Sequence, residues 1–558
     1  MSKRPSRPDV SALLRALREK TETWETEPRL KEADVVRRIS DEVAGLPGIE
    51  PAEPRVESII QRLQDAARRR MGAVRFYDVG TVQHIGDSVA TLSGLPSARI
   101  GDLVTFGTGV QGLILNLDHS RIDVILLGPD TGIQGGDLVT STGRQLHVPA
   151  GHKLRGRVVA PLGRPQDRGG PVEAMEHRPL EREAPDIVER SPVEEPLHTG
   201  VKVIDALVPV GRGQRELILG DRQTGKTTLA VDAILNQKGT GVSCVYVAIG
   251  QKKSTTLQVI RTLERWGAME WTTVVLSGPD DPPALRYLAP YAGCAMAEFL
   301  MDEGRDVLIV YDGLSKHADA YRELSRRLRR PPGREAYPGD IFYIHARLLE
   351  RACKLDESRG GGSLTALPVI ETQRGNVSGY IPTNLISICD GQIVVDADMF
   401  NRGIKPAVNV GKSVSRVGGE AQTGAMRSVA GELKLALSQY EEVAEFARFG
   451  AQVGEATRRQ IRRGQRLRAA LKQPAHRPLS LAEQIVVLLA ATEGALDDLA
   501  LDRVGAFERQ LLGEVKETRR ELLQEIERTG ELTDEVRTEL VEAIESFHAE
   551  WLEGNMER

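Results

Sequence analysis

The sequence predicts a multidomain chain: an N-terminal β-barrel, a central P-loop α/β nucleotide-binding domain and a C-terminal helical domain. Three observations carry this expectation. Short apolar segments recur between Gly- and Asp-containing turns over residues 72–150. A Gly-x-x-x-x-Gly-Lys-Thr segment stands between an apolar run and a helix-forming run, in a region where such runs alternate. Beyond about residue 428 the apolar residues take helical spacing throughout.

Length and composition set the frame. The chain has 558 residues, beyond the ~250–300 at which one hydrophobic core stops growing, so several domains are expected. Apolar residues make up 40%, charged residues 27%, and the net charge is -5. That balance marks neither a polyanionic nor a polycationic partner. The longest clean apolar run, Ile485–Ala491, is far short of the ~20 residues of a spanning helix; membrane association is expected only through other proteins. Arg4, Arg7, Arg15 and Arg18 open the chain without an apolar stretch and cleavage site, which argues against a secretory signal. They fit a mitochondrial presequence, but acidic residues follow from Glu19 to Glu27, and a bacterial cytoplasmic chain is the favoured reading. Cys244, Cys294, Cys353 and Cys389 form no C-x-x-C pair and read as small buried residues in a reducing compartment.

Taken in order, residues 1–71 read as a charged N-terminal extension with a short amphipathic helix around Ile59–Ala67. Residues 72–150 hold short apolar segments (79–82, 103–106, 112–117, 122–127) at the even spacing of a small closed barrel. Over 151–427, the apolar runs 217–220, 242–249, 273–277 and 307–311 alternate with helical stretches, the pattern of a largely parallel sheet covered on both faces. Residues 428–558 are helical. Leu433, Leu437, Tyr440, Ala444 and Ala447 share one face, as do Phe507, Leu511, Val515, Leu522 and Ile526, and then Val536, Leu540, Ile544 and Phe547.

The chemistry concentrates at Gly220-Asp221-Arg222-Gln223-Thr224-Gly225-Lys226-Thr227. The glycines let successive backbone N–H groups face phosphate oxygens, Lys226 is placed to reach the terminal phosphates, and the Thr227 hydroxyl suits magnesium. The strand-like Glu216–Leu219 leads in and a helix leads out, adding the partial positive charge of a helix N-terminus. Downstream, Val307–Asp312 is an apolar strand ending in a carboxylate, the arrangement that holds magnesium through water. ATP or ADP with Mg2+ is therefore the expected ligand. Alone, a strand-terminal Asp would as readily cap a helix.

Several longer segments extend these motifs. Pro196–Glu216 leading into the glycine-rich loop, Tyr311–Ala318, Arg329–Asp340 and Pro406–Arg416 resemble, in this order, the alpha subunit of F-type (rotary) ATP synthases. The resemblance runs from about 72 to 528. It implies three copies alternating with three beta subunits around a central rotor stalk, with the N-terminal end docked to peripheral stalk subunits. It also implies a peripheral place on the cytoplasmic face of a bacterial plasma membrane, and ATP synthesis or hydrolysis coupled to proton or sodium transport. The family's catalytic beta subunit carries a glutamate where this chain has Gln251, and a glutamine cannot accept a proton. A regulatory, non-catalytic nucleotide site follows.

Arg416 resembles the arginine that crosses to the beta subunit's catalytic site, a role suited to an always-charged planar guanidinium. Ser413 is expected to fix that loop. Glu371 and Gln373 are expected near the nucleotide, and Gln473 beside the adenine. The arginine-rich Arg326–Arg334 would suggest nucleic acid if taken bare; the resemblance assigns it to a loop facing neighbouring subunits. Gly313 replaces a family Asp, Lys405 an Arg and Ala475 a Gln, all touching the non-catalytic pocket. Two rival readings are a catalytic beta-type NTPase and a hexameric RNA translocase. Gln251 opposes the first. Aromatics at only 4%, with no stacked Phe or Tyr pairs ahead of the core, oppose the second.

Overall fold

The computed structural model describes residues 78–118, 121–448 and 454–556. The N-terminal extension and its expected helix around 59–67 lie outside the described residues. Asp78 onward forms one compact unit.

Six antiparallel strands open this unit: β1 (Val79–Gly86), β2 (Val89–Gly94), β3 (Asp102–Phe106), β4 (Gln111–Asp118), β5 (Arg121–Leu126) and β6 (Leu138–Gln145). They close into a barrel in the order β1-β2-β5-β4-β3-β6, which leaves no exposed edge. Alternate side chains fill the interior, where Leu92, Val104, Ile114, Val124 and Val139 are fully buried. β7 (His147–Ala150) pairs with β9 (Glu176–Pro179) in a two-stranded ribbon after the barrel.

The central sheet holds β8 (Val158–Val159), β10 (Glu216–Gly220), β11 (Ser243–Ile249), β12 (Thr272–Ser277), β13 (Asp306–Asp312), β14 (Ser363–Glu371), β15 (Gly391–Val395) and β16 (Val414–Ser415). Its order is β16-β15-β10-β14-β13-β11-β12-β8. Every neighbouring pair is parallel except β15 with β16. Burial on both faces explains why β10 and β11 read as unbroken apolar runs. Helices α1 (Lys202–Leu207), α2 (Lys226–Leu235) and α3 (Lys253–Arg265) contribute to the core on one face. On the other face lie α4 (Pro283–Asp302), α5 (Leu314–Arg327), α6 (Ile341–Leu349) and α7 (Tyr380–Ile388).

The C-terminal part is helical: α8 (Gly424–Arg448), α9 (Glu455–Ala470), α10 (Leu481–Thr492), α11 (Val504–Thr518), α12 (Arg520–Thr529) and α13 (Asp534–Met556). α10 is the hub. All its residues but Glu483 are buried, and Ser480 with Glu483 forms a capping box at its start. The apolar face expected to run unbroken from Phe507 to Ile526 is split, because Arg519 (φ -130°, ψ 36°) leaves the helical region and separates α11 from α12. Apolar spacing continues across the break, which is why the sequence does not betray it. This part shares one core with the sheet, and polar ties reinforce the seam: Gln484 Nε2 donates to Asp205 Oδ2 at 2.7 Å, and fully buried Lys202 pairs with Glu508. All four cysteines are buried and free. Among the described residues no helix is long and apolar enough to cross a membrane.

Candidate functional site: the phosphate loop and the arginine edge

The loop between β10 and α2 is shaped by two residues in left-handed backbone, Gln223 (φ 61°) and Gly225 (φ 99°). Such torsions turn N–H groups inward, and glycine takes them without strain. Gly220 has a separate reason: a Cβ there would lie 2.4 Å from the Val395 carbonyl oxygen. The loop's own side chains brace it. Asp221 Oδ1 accepts from the Thr372 hydroxyl at 2.7 Å and from the Gly375 N–H at 2.9 Å. Thr224 Oγ1 donates to the Asp221 carbonyl at 2.8 Å. Lys226 folds its ammonium onto the carbonyls of Gly220 (2.8 Å) and Asp221 (2.5 Å). Burial pushes its pKa down, and nearby Glu371 and Asp312 oppose that shift.

Asp312, at the end of β13, is only 2% exposed. Thr227 Oγ1 donates to its Oδ2 at 3.0 Å, the Tyr246 hydroxyl to the same oxygen at 2.6 Å, and Gln251 Nε2 to Oδ1 at 3.0 Å. Burial raises the carboxyl's pKa, while the Tyr246 and Thr227 hydrogen bonds pull it down. Gln251 is held at both ends, since Lys316 Nζ donates to its Oε1 at 2.6 Å. Thr227, Asp312 and Gln251, expected separately from the sequence, thus meet at one point. Tyr246 and Lys316 complete the group, and neither carries a sequence signal. Tyr246 is hidden in a wholly buried strand, and Lys316 looks like any polar helix residue. A hydroxyl beside a buried carboxylate is an all-oxygen set, which fits a hard divalent cation.

Glu371, at the end of β14, pairs with Arg222 at 2.8 Å. With Asp221, Ser315 and Gln373 they line a cavity of about 770 Å³ beside the loop. Phe400 approaches Gly225 of the loop, and the Lys405 ammonium stands 4.2 Å above its ring. Gln473 is spent on backbone: Nε2 donates to the Gly200 carbonyl (2.7 Å) and the Arg477 carbonyl (2.8 Å), and Oε1 accepts from the Lys202 N–H (3.0 Å). It shapes the 473–477 turn, whose His476 bonds Asp232 of α2.

Ser413 and Arg416 lie elsewhere. Ser413 Oγ donates to the Asn409 carbonyl (2.7 Å) and accepts from the Val394 N–H (2.9 Å), fastening the segment before β16 to β15. Arg416 follows β16 and is exposed. Ser415 pairs with Gly391, and Gly391 with Glu216, whereas the phosphate loop begins at Gly220. The arginine therefore stands at the opposite end of β10 from its own chain's phosphate loop. Of the arginine-rich 326–334 segment, Arg327 bonds the Asp87 carbonyl and Arg330 the Leu115 carbonyl at 2.8 Å. Two of its charges are thus committed to the barrel.

A strand, a glycine loop, a helix carrying Lys226 and Thr227, and a buried strand-end carboxylate define a P-loop nucleotide-binding protein. Sequence comparison narrows the class. The beta-barrel domain of the ATP synthase alpha/beta family matches residues 77–143 and its nucleotide-binding domain residues 200–415. The C-terminal domain of the ATP synthase alpha/beta family matches residues 422–547. The protein belongs to the ATP synthase alpha/beta family. It is similar to an ATP synthase subunit alpha of Petrotoga mobilis (strain DSM 10674 / SJ95), 54% identical over 441 residues, covering 79% of this chain and 88% of that relative. It is also similar to an ATP synthase subunit alpha of Aquifex aeolicus (strain VF5), 52% identical over 454 residues, covering 81% and 90%.

Proposed function

We propose that this chain is the regulatory, non-catalytic nucleotide-binding alpha subunit of a membrane-associated F-type ATP synthase. The observation that carries the reading is the state of Gln251. Its amide oxygen accepts from Lys316 and its amide nitrogen donates to Asp312, so the side chain is held in place, and an amide cannot take a proton from water. ATP or ADP held on the 220–227 loop would persist. Lys226 would exchange its two carbonyl contacts for phosphate oxygens, and the loop N–H groups would face the same charge. Thr227, and Asp312 through water, would hold Mg2+, which neutralises phosphate charge when bound.

Arg416 serves a different site. Exposed, and set at the far end of β10, it suits a phosphoryl group carried by a neighbouring beta subunit, with Ser413 holding its segment in register. In the alternating ring of three alpha and three beta subunits, the chain then completes a partner's site while binding its own nucleotide. Central and peripheral stalk subunits complete the assembly on the cytoplasmic face of the membrane, and proton or sodium transport falls to other subunits. The test is ATP hydrolysis and magnesium-nucleotide binding by the purified chain, with and without its beta partner. Binding without turnover alone, and turnover only with the partner, is the expected result. Steady turnover by the isolated chain would overturn the reading.

A further inference from the structure

The segment carrying Arg416 is held by a clamp that neither the phosphate loop nor the sheet pairing requires. The Arg416 N–H donates to the Asp390 carbonyl at 2.9 Å. The Asp390 carboxylate is gripped three times by one residue: the Arg215 N–H and Nε both donate to Oδ2, at 3.0 and 2.9 Å, and Nη2 donates to Oδ1 at 2.7 Å. Arg215 immediately precedes β10, so the strand that ends in the phosphate loop begins in this clamp. A second tie runs beside it, where Gln214 Nε2 reaches Glu216 Oε2 at 2.7 Å and Ser415 Oγ at 3.3 Å. The Ser415 hydroxyl in turn donates to the Pro209 carbonyl at 2.8 Å.

The charges are arranged to leave the arginine unclaimed. Arg215 and Asp390 neutralise each other. Burial, then the nearby Asp390 charge, push the Glu216 pKa well up, while the Gln214 hydrogen bond and the Arg416 charge oppose that shift. Among the described residues Arg416 makes no ion pair, and its guanidinium donates a 3.4 Å hydrogen bond to the Ile386 carbonyl. An acid free to bond Arg416 here would fold its guanidinium back onto its own chain. The backbone is pinned while the charged end is left free to point away.

We propose that the Arg215–Asp390 pair is a positioning device for Arg416, fixing the backbone from which the guanidinium is presented to the neighbouring subunit. This rests on the arginine-finger reading above. A bidentate arginine–carboxylate pair is both strong and directional, and a reacting group displaced by ~1 Å can lose ~100-fold in rate.

The experiment uses the complex assembled with its beta partner and central stalk, comparing Arg215→Ala, Arg215→Lys, Asp390→Asn and Arg416→Ala, with Arg215→Ala/Arg416→Ala as the double variant. Arg215→Ala and Asp390→Asn are expected to lower kcat at least ~10-fold with KM and magnesium-nucleotide binding to this chain within about twofold. Arg215→Lys should recover only part of the loss, because an ammonium lacks the planar fork. In the double variant, the Arg215 change should cost nothing beyond Arg416→Ala, since both act through one group. Full turnover in Arg215→Ala and Asp390→Asn, or additive losses in the double variant, would overturn the positioning role. If Arg416→Ala itself retains turnover, it is the arginine-finger reading that fails, so the two failures are told apart. Should Arg215→Ala not assemble, Asp390→Asn decides alone, because it keeps the Asp390 carbonyl and the side-chain shape.

Discussion

Replacing Arg416 by alanine tests the proposed division between this chain's own nucleotide site and its neighbour's. The strand register gives the magnitude for its own site. Glu216 and Gly220 are the ends of β10, so the arginine edge and the start of the phosphate loop are at least ~13 Å apart along the strand. Over that distance through water one unit charge acts on another with only ~0.3 kcal/mol, and it is screened further beyond the ~8 Å Debye length of physiological salt. A magnesium nucleotide with two net negative charges should therefore bind the Lys226 site within about threefold of its original affinity. At the neighbour's site the same guanidinium would contact the transferring phosphoryl group, and its loss should slow turnover by ~1,000-fold or more. The assay pairs titration of the purified variant with a fluorescent magnesium nucleotide against steady-state hydrolysis by the assembled complex. A tenfold loss of binding accompanying the loss of turnover would show that the arginine acts on its own chain's site. Unchanged turnover would refute the partner role altogether.

Three further outcomes follow from local geometry. Gly313 lies at φ 108°, where a Cβ would sit 2.9 Å from the Ile249 carbonyl oxygen and 3.2 Å from Gln251 Nε2. Gly313→Ala should therefore cost ~1–3 kcal/mol in a denaturant titration, and equal stability would show that the loop gives way freely. Arg351 and Glu298 form a fully buried bidentate pair at 2.8 and 2.6 Å; Arg351→Met should destabilise by about 3–5 kcal/mol, and Arg351→Met/Glu298→Leu should regain most of that. Burial raises Asp232 of α2 to about 6, with His476 opposing the rise. Its native state thus keeps a proton that the unfolded protein, near pKa 4, has lost. This group's contribution to stability is full below pH 4 and falls as pH rises through 6. Asp232→Asn should remove that slope between pH 4 and 6 in thermal melts, and an unchanged slope would reject the assignment.

Much of this site was legible in the sequence because its parts are local. The phosphate loop is eight consecutive residues whose glycines and lysine are required by backbone shape and charge, and Asp312 is a carboxylate at the end of an apolar run. The barrel, sheet and helical domains follow from apolar period alone. What stayed hidden is long-range and polar. Tyr246 shares a strand of uniform burial with Cys244 and Ala248, and nothing in its spacing shows that its hydroxyl ends on Asp312, 66 residues away. The clamp joins Arg215 to Asp390 across 175 residues, a distance over which no periodicity speaks. The break at Arg519 escaped because apolar spacing fits a continuous helix equally well on both sides. Gln473, expected beside the adenine, has its side-chain bonds on backbone, and a glutamine in a turn gives no sign of which partners it will find.

These hidden contacts bear on the proposal that this chain holds a nucleotide without consuming it. A glutamine alone does not settle the matter, because a free amide can still orient water. Here the amide is locked between an ammonium and a carboxylate, and the carboxylate is also held by Tyr246 and Thr227. To put Gln251 to work on a water, the site would have to give up a 2.6 Å charge-assisted bond and leave a buried carboxylate one donor short. Each such loss to a charged group costs roughly 1.5–3 kcal/mol. The barrier to making this site hydrolytic therefore lies as much in Lys316 and Asp312 as in the residue between them. Replacing Gln251 by glutamate would set two carboxylates about 3 Å apart in the space where amide and carboxylate now bond, and such a pair holds on to one proton between them.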